Sequence, residues 1–230
     1  TPALVLVGGL AALAALAVIA ASAAPAAAAD FYVDPVNGSP TGTGSAADPW
    51  RTLEEVVAAN LIETRHWASL PYQPGATLVV VNPGAPVSAG DTLWLRSGYH
   101  GELFLRGAYN AAPITVAAAP GEVPRLRRVW LSAAQNWIVR GLSISPSHAP
   151  GPLTQDTLVF VENHGWHGPS WDIEIADCDL FTVDDASSWG ESEWVNDAAS
   201  ALRIDGDRVT VRGNRVRNVR FGISVSGKDA

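Results

Sequence analysis

The stretch Trp137-Ile138-Val139-Arg140-Gly141 is the strongest indication of the fold. The chain repeats its pattern as Ile173-Glu174-Ile175-Ala176-Asp177 and as Val209-Thr210-Val211-Arg212-Gly213. Both intervals are 36 residues. An apolar residue follows each copy at the same distance: Ile144, Leu180 and Val216. A fixed period of short strands separated by Gly, Asn and Asp turns is typical of a solenoid, in which each unit buries its inner face by stacking on its neighbours.

Other strands recur at shorter intervals. The spacing predicts that Leu93 recurs as Ile114 after 21 residues, and Leu202 recurs as Ile223 after the same interval. Such an interval fits one coil of three short strands and three turns. The longer coils are therefore predicted to carry loop insertions, at residues 145–156, 163–170 and 181–199, and loops are where such scaffolds place function. Helical patterns do not separate the strands, which disfavours a doubly wound α/β fold.

Two further stretches carry a family resemblance. Val209-Thr-Val-Arg-Gly-Asn-Arg-Val216 resembles the VTIxxNxI coil of the pectate-lyase-like superfamily, with Asn214 at the bend, and residues 31–53 resemble the first motif of many secreted bacterial members. The resemblance covers most of residues 30–230 and implies an all-β chain, a right-handed parallel β-helix with a short N-terminal capping helix. It implies less about activity, because members include polysaccharide lyases, glycoside hydrolases, epimerases and proteins without known catalysis.

The N-terminal residues resemble an export signal. Residues 3–20 are apolar and are followed by small residues that end in Ala27-Ala28-Ala29, which predicts a removed signal peptide over 1–29. A membrane anchor is the alternative, since about 18 apolar residues lie at the lower limit for crossing a bilayer. The remaining chain is predicted to contain an N-terminal cap and lead-in segment at 30–90 and β-helix coils at 91–230. We expect further sequence at both ends, because Met is absent and the strand at 221–225 has no cap.

The capping helix is predicted from Leu53 to Trp67, where apolar residues recur at near-helical spacing. Thr52 and Glu55 form a capping-box pattern at its start. A helix in this position would cover the open N-terminal end of the coil stack.

The amino-acid composition limits the classes of molecule that this protein is expected to bind. The formal net charge is −8 and the isoelectric point is about 5.0, which excludes nucleic acid as a partner. We expect a secreted or cell-surface monomer, with no stable membrane insertion once the signal is removed. The single cysteine, Cys178, occupies the bend position equivalent to Leu142 and Asn214, which predicts a buried thiol rather than a nucleophile.

Four of the nine tryptophans fall within residues 166–194, beside several acidic residues. Sugar C–H faces pack on indole rings and sugar hydroxyls hydrogen-bond to carboxylates, so these loops are candidate sugar contacts. The substrate-binding candidates are Trp166, His167, Trp171, Trp189 and Trp194. Because successive coils stack, we expect the two loops that carry them to emerge near one another. The alternative is that they are solvated loops covering the flank of the coils.

The same loops contain oxygen ligands for a hard cation. Asp184, Asp185 and Glu191 are the metal-binding candidates, with Ca2+ as the one cofactor considered, and a solvated acidic loop is the alternative. His164 and His167 lack a third ligand at zinc-like spacing.

These observations and the resemblance together predict an extracellular protein that binds a polysaccharide and degrades it, either as a lyase of a uronate-containing polymer or as a glycoside hydrolase. No catalytic residue is assigned. The alternative is a non-catalytic cell-surface adhesin or structural β-helix.

Overall fold

The structure is a computed structural model that describes residues 28–226. Its strands are β1 (Asp30–Val33), β2 (Thr64–Trp67), β3 (Leu78–Val81), β4 (Thr92–Leu95), β5 (Gly98–Tyr99), β6 (Glu102–Ala118), β7 (Pro124–Leu126), β8 (Arg128–Arg140), β9 (Ser143–Ile144), β10 (Thr157–Glu162), β11 (Trp171–Ala176), β12 (Asp179–Phe181), β13 (Ser200–Ile204), β14 (Asp207–Arg212), β15 (Arg215–Arg217) and β16 (Phe221–Val225). The helices are α1 (Leu53–Ala58), a 3-10 turn (Pro146–His148) and α2 (Glu191–Asn196).

All described strands except β2 and β3 form three stacked faces, and the pairing within each face is parallel. Face 1 contains residues 102–109 of β6, residues 128–135 of β8, and β10, β13 and β16. Face 2 contains β1, β4, the remaining parts of β6 and β8, and β11 and β14. Face 3 contains β5, β7, β9, β12 and β15. The chain passes through faces 1, 2 and 3 in turn, so the predicted parallel β-helix is confirmed.

The predicted 36-residue repeat is confirmed at the level of register. Trp137 pairs with Ile173 and Ile173 with Val209 on face 2, while Ile144, Leu180 and Val216 follow one another on face 3. The inward-facing members of these rungs belong to one hydrophobic core that runs along the coil axis. Each coil therefore buries its apolar side chains against the coils above and below it.

One predicted register is wrong by two residues. Leu93 pairs with Val116 rather than with Ile114, and Leu95 pairs with Ala118. A strand's side chains alternate between its two faces, so a shift of two residues keeps the same side chains inward. The apolar pattern therefore cannot distinguish the two registers.

The capping helix is confirmed but is shorter than predicted. It spans Leu53–Ala58 and is capped by Thr52, whose hydroxyl oxygen accepts a hydrogen bond from the Glu55 backbone N–H at 3.3 Å. Leu53 is buried in the core. Asn60 adopts a φ of 57°, which ends the helical path. The following residues form β2, which pairs antiparallel with β3, because tertiary pairing overrides the weak helical pattern there.

The bend between faces 2 and 3 is stabilised by Asn214, as its position suggests. Its side-chain oxygen accepts from the Cys178 N–H at 2.9 Å and its amide donates to the Ile175 carbonyl at 2.8 Å, so it links two successive coils. Cys178 is buried, as predicted, and burial raises the pKa of its thiol to about 11.

The predicted signal peptide and its alternative, a membrane anchor, lie outside the described residues except for positions 28 and 29. Within residues 28–226, none of the helices has the length and apolar character needed to span a bilayer.

Candidate functional site on face 1

Face 1 carries a row of aromatic side chains on its outer surface. The parallel register places Phe104 beside Trp130 and Trp130 beside Phe160 on three adjacent strands. The ring centroids are 4.9 Å apart in the first pair and 5.9 Å apart in the second. We call these three residues the aromatic row. All three are half-buried, so part of each ring is open to solvent.

Arginine side chains lie over this row. The Arg128 guanidinium is 4.2 Å from the Trp130 ring centroid, and that of Arg203 is 4.8 Å from the Phe160 centroid. Arg106 lies over two rings, 5.0 Å from Phe104 and 5.6 Å from Trp130. Such cation–π contacts hold the guanidinium groups at the surface of the row.

The three arginines differ in how their charges are compensated. Arg128 forms an ion pair with Asp156 at 3.4 Å, and Arg203 forms one with Asp205 at 3.0 Å. Arg106 is exposed and forms no ion pair with any residue between 28 and 226. Its charge is therefore available to an anionic group that approaches face 1.

Carboxylates border the row but are engaged by neighbouring donors. The Trp130 indole N–H donates to Glu162 Oε2 at 2.8 Å, and the Arg127 guanidinium donates to Glu102 Oε2 at 2.7 Å. These contacts fix the orientation of both carboxylates. Their remaining oxygens can accept hydrogen bonds from hydroxyl groups of a ligand.

A cleft of about 190 Å³ opens beside the row, between face 1 and the N-terminal segment. Phe104 and Arg106 form one wall, while Asn60, Thr64 and Asn82 line the opposite side. The cleft therefore combines an aromatic surface and a cation with neutral hydrogen-bonding groups. This combination suits a polar ligand that also has apolar faces.

Two of the sequence-predicted candidates form a packed corner rather than an open platform. Trp171 lies 6.4 Å from the Trp67 ring and 5.3 Å from the Tyr109 ring. The buried Tyr109 hydroxyl donates to the backbone carbonyl of His167 at 3.1 Å. The imidazole of His167 is half-buried. Burial is the largest cause of its lowered pKa, and the charges of His164, Arg106 and His66 act in the same direction. These residues anchor the loop at 163–170 against the hairpin of β2 and β3.

Trp166 lies at the tip of the same loop and is the most open of the candidates. Its side chain is 54% exposed, while its backbone carbonyl accepts from the Tyr72 N–H at 2.8 Å. It therefore presents an indole to solvent beside the segment that contains Tyr72.

The remaining aromatic candidates lie on the loop between β12 and β13. Trp189 and Trp194 contact each other edge to face, with centroids 4.9 Å apart. The backbone of that loop accepts a hydrogen bond from the Gln155 side chain, so it packs against the insertion at 145–156. The expected meeting of the loops at 163–170 and 181–199 is not observed, because each loop packs against a different neighbour.

The acidic candidates on this loop are used in other ways. Asp184 accepts from the Arg217 guanidinium at 2.8 Å, and Asp185 Oδ1 accepts from the Ser187 N–H at 2.8 Å, which lowers the pKa of Asp185. Glu191 lies exposed in the first turn of α2. Across residues 28–226 the structure contains no group of three or more His, Cys, Asp or Glu side chains that would suit a metal ion. Calcium binding by Asp184, Asp185 and Glu191 stays a prediction.

Sequence reasoning missed the aromatic row for a definable reason. Its members are separated by 26 and 30 residues, so they lie outside the 36-residue repeat. Each one sits in a strand between inward-facing apolar residues, as many ordinary strand aromatics do. The usable signal was the alternation within each strand, which places Phe104, Trp130 and Phe160 on the outer surface.

A comparison with solved structures gives a structural likeness. A solved structure of a rhamnogalacturonan lyase resembles this one with a TM-score of 0.38 and 15% sequence identity, over 85% of this chain and 62% of that chain. The chain thus spans less than two thirds of the length of that lyase. No family model matches the sequence, and no curated protein matches it.

Proposed function

We propose that this protein binds an extracellular polysaccharide along face 1 and degrades it. The observation that carries the proposal is the aromatic row with its overlying arginines and bordering carboxylates. Adjacent strands lie about 4.8 Å apart, so three rungs offer a surface roughly 10 Å long. A sugar chain would lie across the strands with its C–H faces on the rings and its hydroxyls near the carboxylates.

The charges on this surface favour a uronate-containing polymer. The protein as a whole carries a net charge of −8, yet its outer face 1 concentrates three guanidinium groups above the aromatic row. Arg106 has no ion-pair partner within residues 28–226 and is the group proposed to bind a sugar carboxylate. Neutralising that carboxylate is the first requirement of β-elimination, so a lyase reaction fits the surface better than hydrolysis.

A non-catalytic binding protein is the second candidate, and one observation favours it. The carboxylates Glu102, Asp156 and Glu162 are each engaged by an arginine or an indole. General acid–base chemistry needs a group that can take up or release a proton at the reacting atom. An adhesin or structural β-helix needs only the binding surface.

The test is a screen of the secreted protein on uronic and neutral polysaccharides, with and without EDTA. Binding is followed by affinity electrophoresis, elimination by the ultraviolet absorbance of unsaturated ends, and hydrolysis by reducing ends. Uronate binding with unsaturated products supports the lyase, and loss of activity in EDTA would support a calcium requirement. Binding without cleavage favours the adhesin. Failure to bind any polymer overturns the proposal.

Arg106→Gln and Arg140→Gln form a matched pair for this test. Arg140 is also exposed and lies over a tryptophan, 5.8 Å from the Trp94 centroid, but it belongs to face 2. Removing Arg106 should weaken uronate binding about tenfold or more and reduce its salt dependence, because one charge-assisted contact is lost. The Arg140 variant should bind like the wild type.

A further inference from the structure

Face 3 carries a second cleft, of about 430 Å³, on a different side of the molecule from the aromatic row. Its floor is formed by outward-facing residues of adjacent strands, and its rim by the insertion at 145–156. The polar residues that line it include Arg125, Ser143, Ser147, His148, Asp179 and Arg217.

A serine and a histidine are hydrogen-bonded within this cleft. Ser143 Oγ lies 2.9 Å from His148 Nε2. Ser143 points outward from β9, and the 3-10 turn Pro146–His148 brings the imidazole back over the same strand. The turn begins at Ser145, whose hydroxyl accepts from the Ser147 N–H at 3.0 Å and donates to the Thr182 carbonyl at 2.9 Å. The position of the imidazole is therefore set by a buried anchor.

The imidazole is also held by aromatic packing. Its ring meets Phe181 at a right angle, with centroids 5.4 Å apart. The opposite surface of the cleft is fixed by Arg217, which lies 3.7 Å from the Phe181 centroid and donates to Asp179 at 3.0 Å and to Asp184 at 2.8 Å. Little rearrangement is needed to keep the serine and imidazole in contact.

Four charged groups face His148: Arg125, Arg217, Asp179 and Asp184. Burial lowers the pKa of His148, and Arg125 and Arg217 act in the same direction, while the two carboxylates oppose them. The imidazole is therefore neutral at pH 7 and can accept a proton. Arg125 is next to Ser143 in the strand register and is exposed, which places a cation beside the serine oxygen.

The carboxylate next to Ser143 on the other side has unused capacity. Asp179 pairs with Ser143 in the register, and its Oδ1 is buried without a hydrogen-bond partner. A buried acceptor without a partner costs free energy, so its retention calls for a role. Within this cleft it can accept a hydrogen bond from a hydroxyl of a bound substrate.

We propose that Ser143 and His148 form a nucleophile–base pair that cleaves small acyl esters. Ser143 Oγ attacks the ester carbonyl carbon while its proton passes to His148 Nε2. The bond from that carbon to the alcohol oxygen then breaks, and the alcohol leaves with the proton from His148. Water then attacks the acyl carbon while its proton passes to the same imidazole. The bond from that carbon to Ser143 Oγ breaks, the acid leaves, and His148 returns the proton to Ser143 Oγ. Arg125 supplies positive charge for the oxyanion that forms at the carbonyl.

A fluorophosphonate probe tests the nucleophile directly, and p-nitrophenyl acetate tests turnover. We expect the probe to label Ser143, as located by peptide mass, and labelling to be lost in Ser143→Ala. Ser147→Ala is the matched control, because Ser147 lines the same cleft but its hydroxyl hydrogen-bonds Ser145, whereas the hydroxyl of Ser143 contacts the imidazole. It should label like the wild type. His148→Gln should slow both reactions about 100-fold or more, since general-base catalysis is lost.

The pH profile provides a further readout that a structural role would not move. Labelling should be constant at neutral pH and fall in acid as His148 becomes protonated, with Ser143→Ala flat throughout. Near-ultraviolet circular dichroism verifies that each variant is folded. Absence of labelling at Ser143, or equal labelling in the serine-to-alanine variants at 143 and 147, overturns the proposal. Variants of face 1 leave this chemistry unchanged, so the two proposals fail independently.

Discussion

Replacing Trp130 with alanine is the sharpest test of the binding surface on face 1. Trp130 is the middle member of the aromatic row and contacts both of its neighbours, at 4.9 Å and 5.9 Å between ring centroids. It also supports the Arg128 guanidinium and donates a hydrogen bond to Glu162. Its removal leaves a gap in the middle of the surface and releases both of these polar groups.

The expected loss in binding follows from these contacts. A central aromatic residue in a binding surface typically contributes about 2 kcal/mol or more to affinity. That free energy corresponds to about a 30-fold weaker dissociation constant. The folded state should also lose about 1–3 kcal/mol, because aromatic pairs contribute about 0.5–1.5 kcal/mol each and the ring is only half-buried.

Trp94→Ala is the matched control for the binding effect. Trp94 lies half-buried on face 2, its indole donates to Asp30 at 2.8 Å, and Arg140 lies over its ring. It therefore shares a carboxylate acceptor and an overlying guanidinium with Trp130 without belonging to the row. Isothermal titration with uronate oligosaccharides gives the affinity, and urea unfolding gives the stability of both variants.

The two variants should differ in binding, and Trp130→Ala should also lose more stability, because Trp130 contacts two aromatic rings of the row. Unchanged affinity in Trp130→Ala would show that the polymer does not lie on the row. Equal weakening of uronate binding by the two substitutions would point to a general effect on folding and would also contradict binding at the aromatic row.

Three further predictions concern the coil stack. Trp137→Phe should lower the free energy of unfolding by about 2–4 kcal/mol in urea titrations, because it leaves a cavity and removes the donor to the Ala108 carbonyl in the core. Burial acts to raise the pKa of Asp34, but hydrogen bonds, above all from Asn37, outweigh it and hold the pKa at about 2, below its ordinary 3.8. The stability this provides, about 2 kcal/mol, is present above pH 4 and lost as the pH falls toward 2, so acid titration of Asp34→Asn should show a flatter curve. The Cys178 thiol, whose pKa burial raises to about 11, should react with a disulfide reagent at pH 8 only after unfolding, and rapid reaction of the folded protein would contradict its burial.

The sequence was most informative where coils have equal length. Ile173 and Val209 follow Trp137 at one interval because the intervening turns and loops sum to the same number of residues, and the structure pairs them in that order. Register is harder to predict near β6, where the pairing with β8 shifts between Tyr109 and Ile114. A local irregularity of this kind changes the number of residues between paired positions without changing the apolar alternation within the strands.

The capping helix and the candidate site show two further limits of prediction from the sequence. Apolar spacing predicted a helix through Trp67, but β2 pairs with β3, whose residues lie 11 to 17 positions further along the chain, outside the window that the helical spacing covers. The density of Trp and acidic residues predicted sugar contacts within Trp166–Trp194. In the structure Trp171 packs against Tyr109, and Trp189 contacts Trp194. The aromatic row depends on neighbouring strands, so it becomes visible only once the register is known.

The insertion at 145–156 connects the two proposed sites. It leaves face 3 through the turn that presents His148 to Ser143, and it reaches face 1 at Asp156, which pairs with Arg128 above the aromatic row. One loop therefore orients a base on one face and a cation on another. Shortening it within residues 149–153, between these two contacts, would strain both ends, because each end is anchored to a different sheet. Point substitutions at Ser143 and Trp130 separate the sites, whereas such a deletion should impair them together.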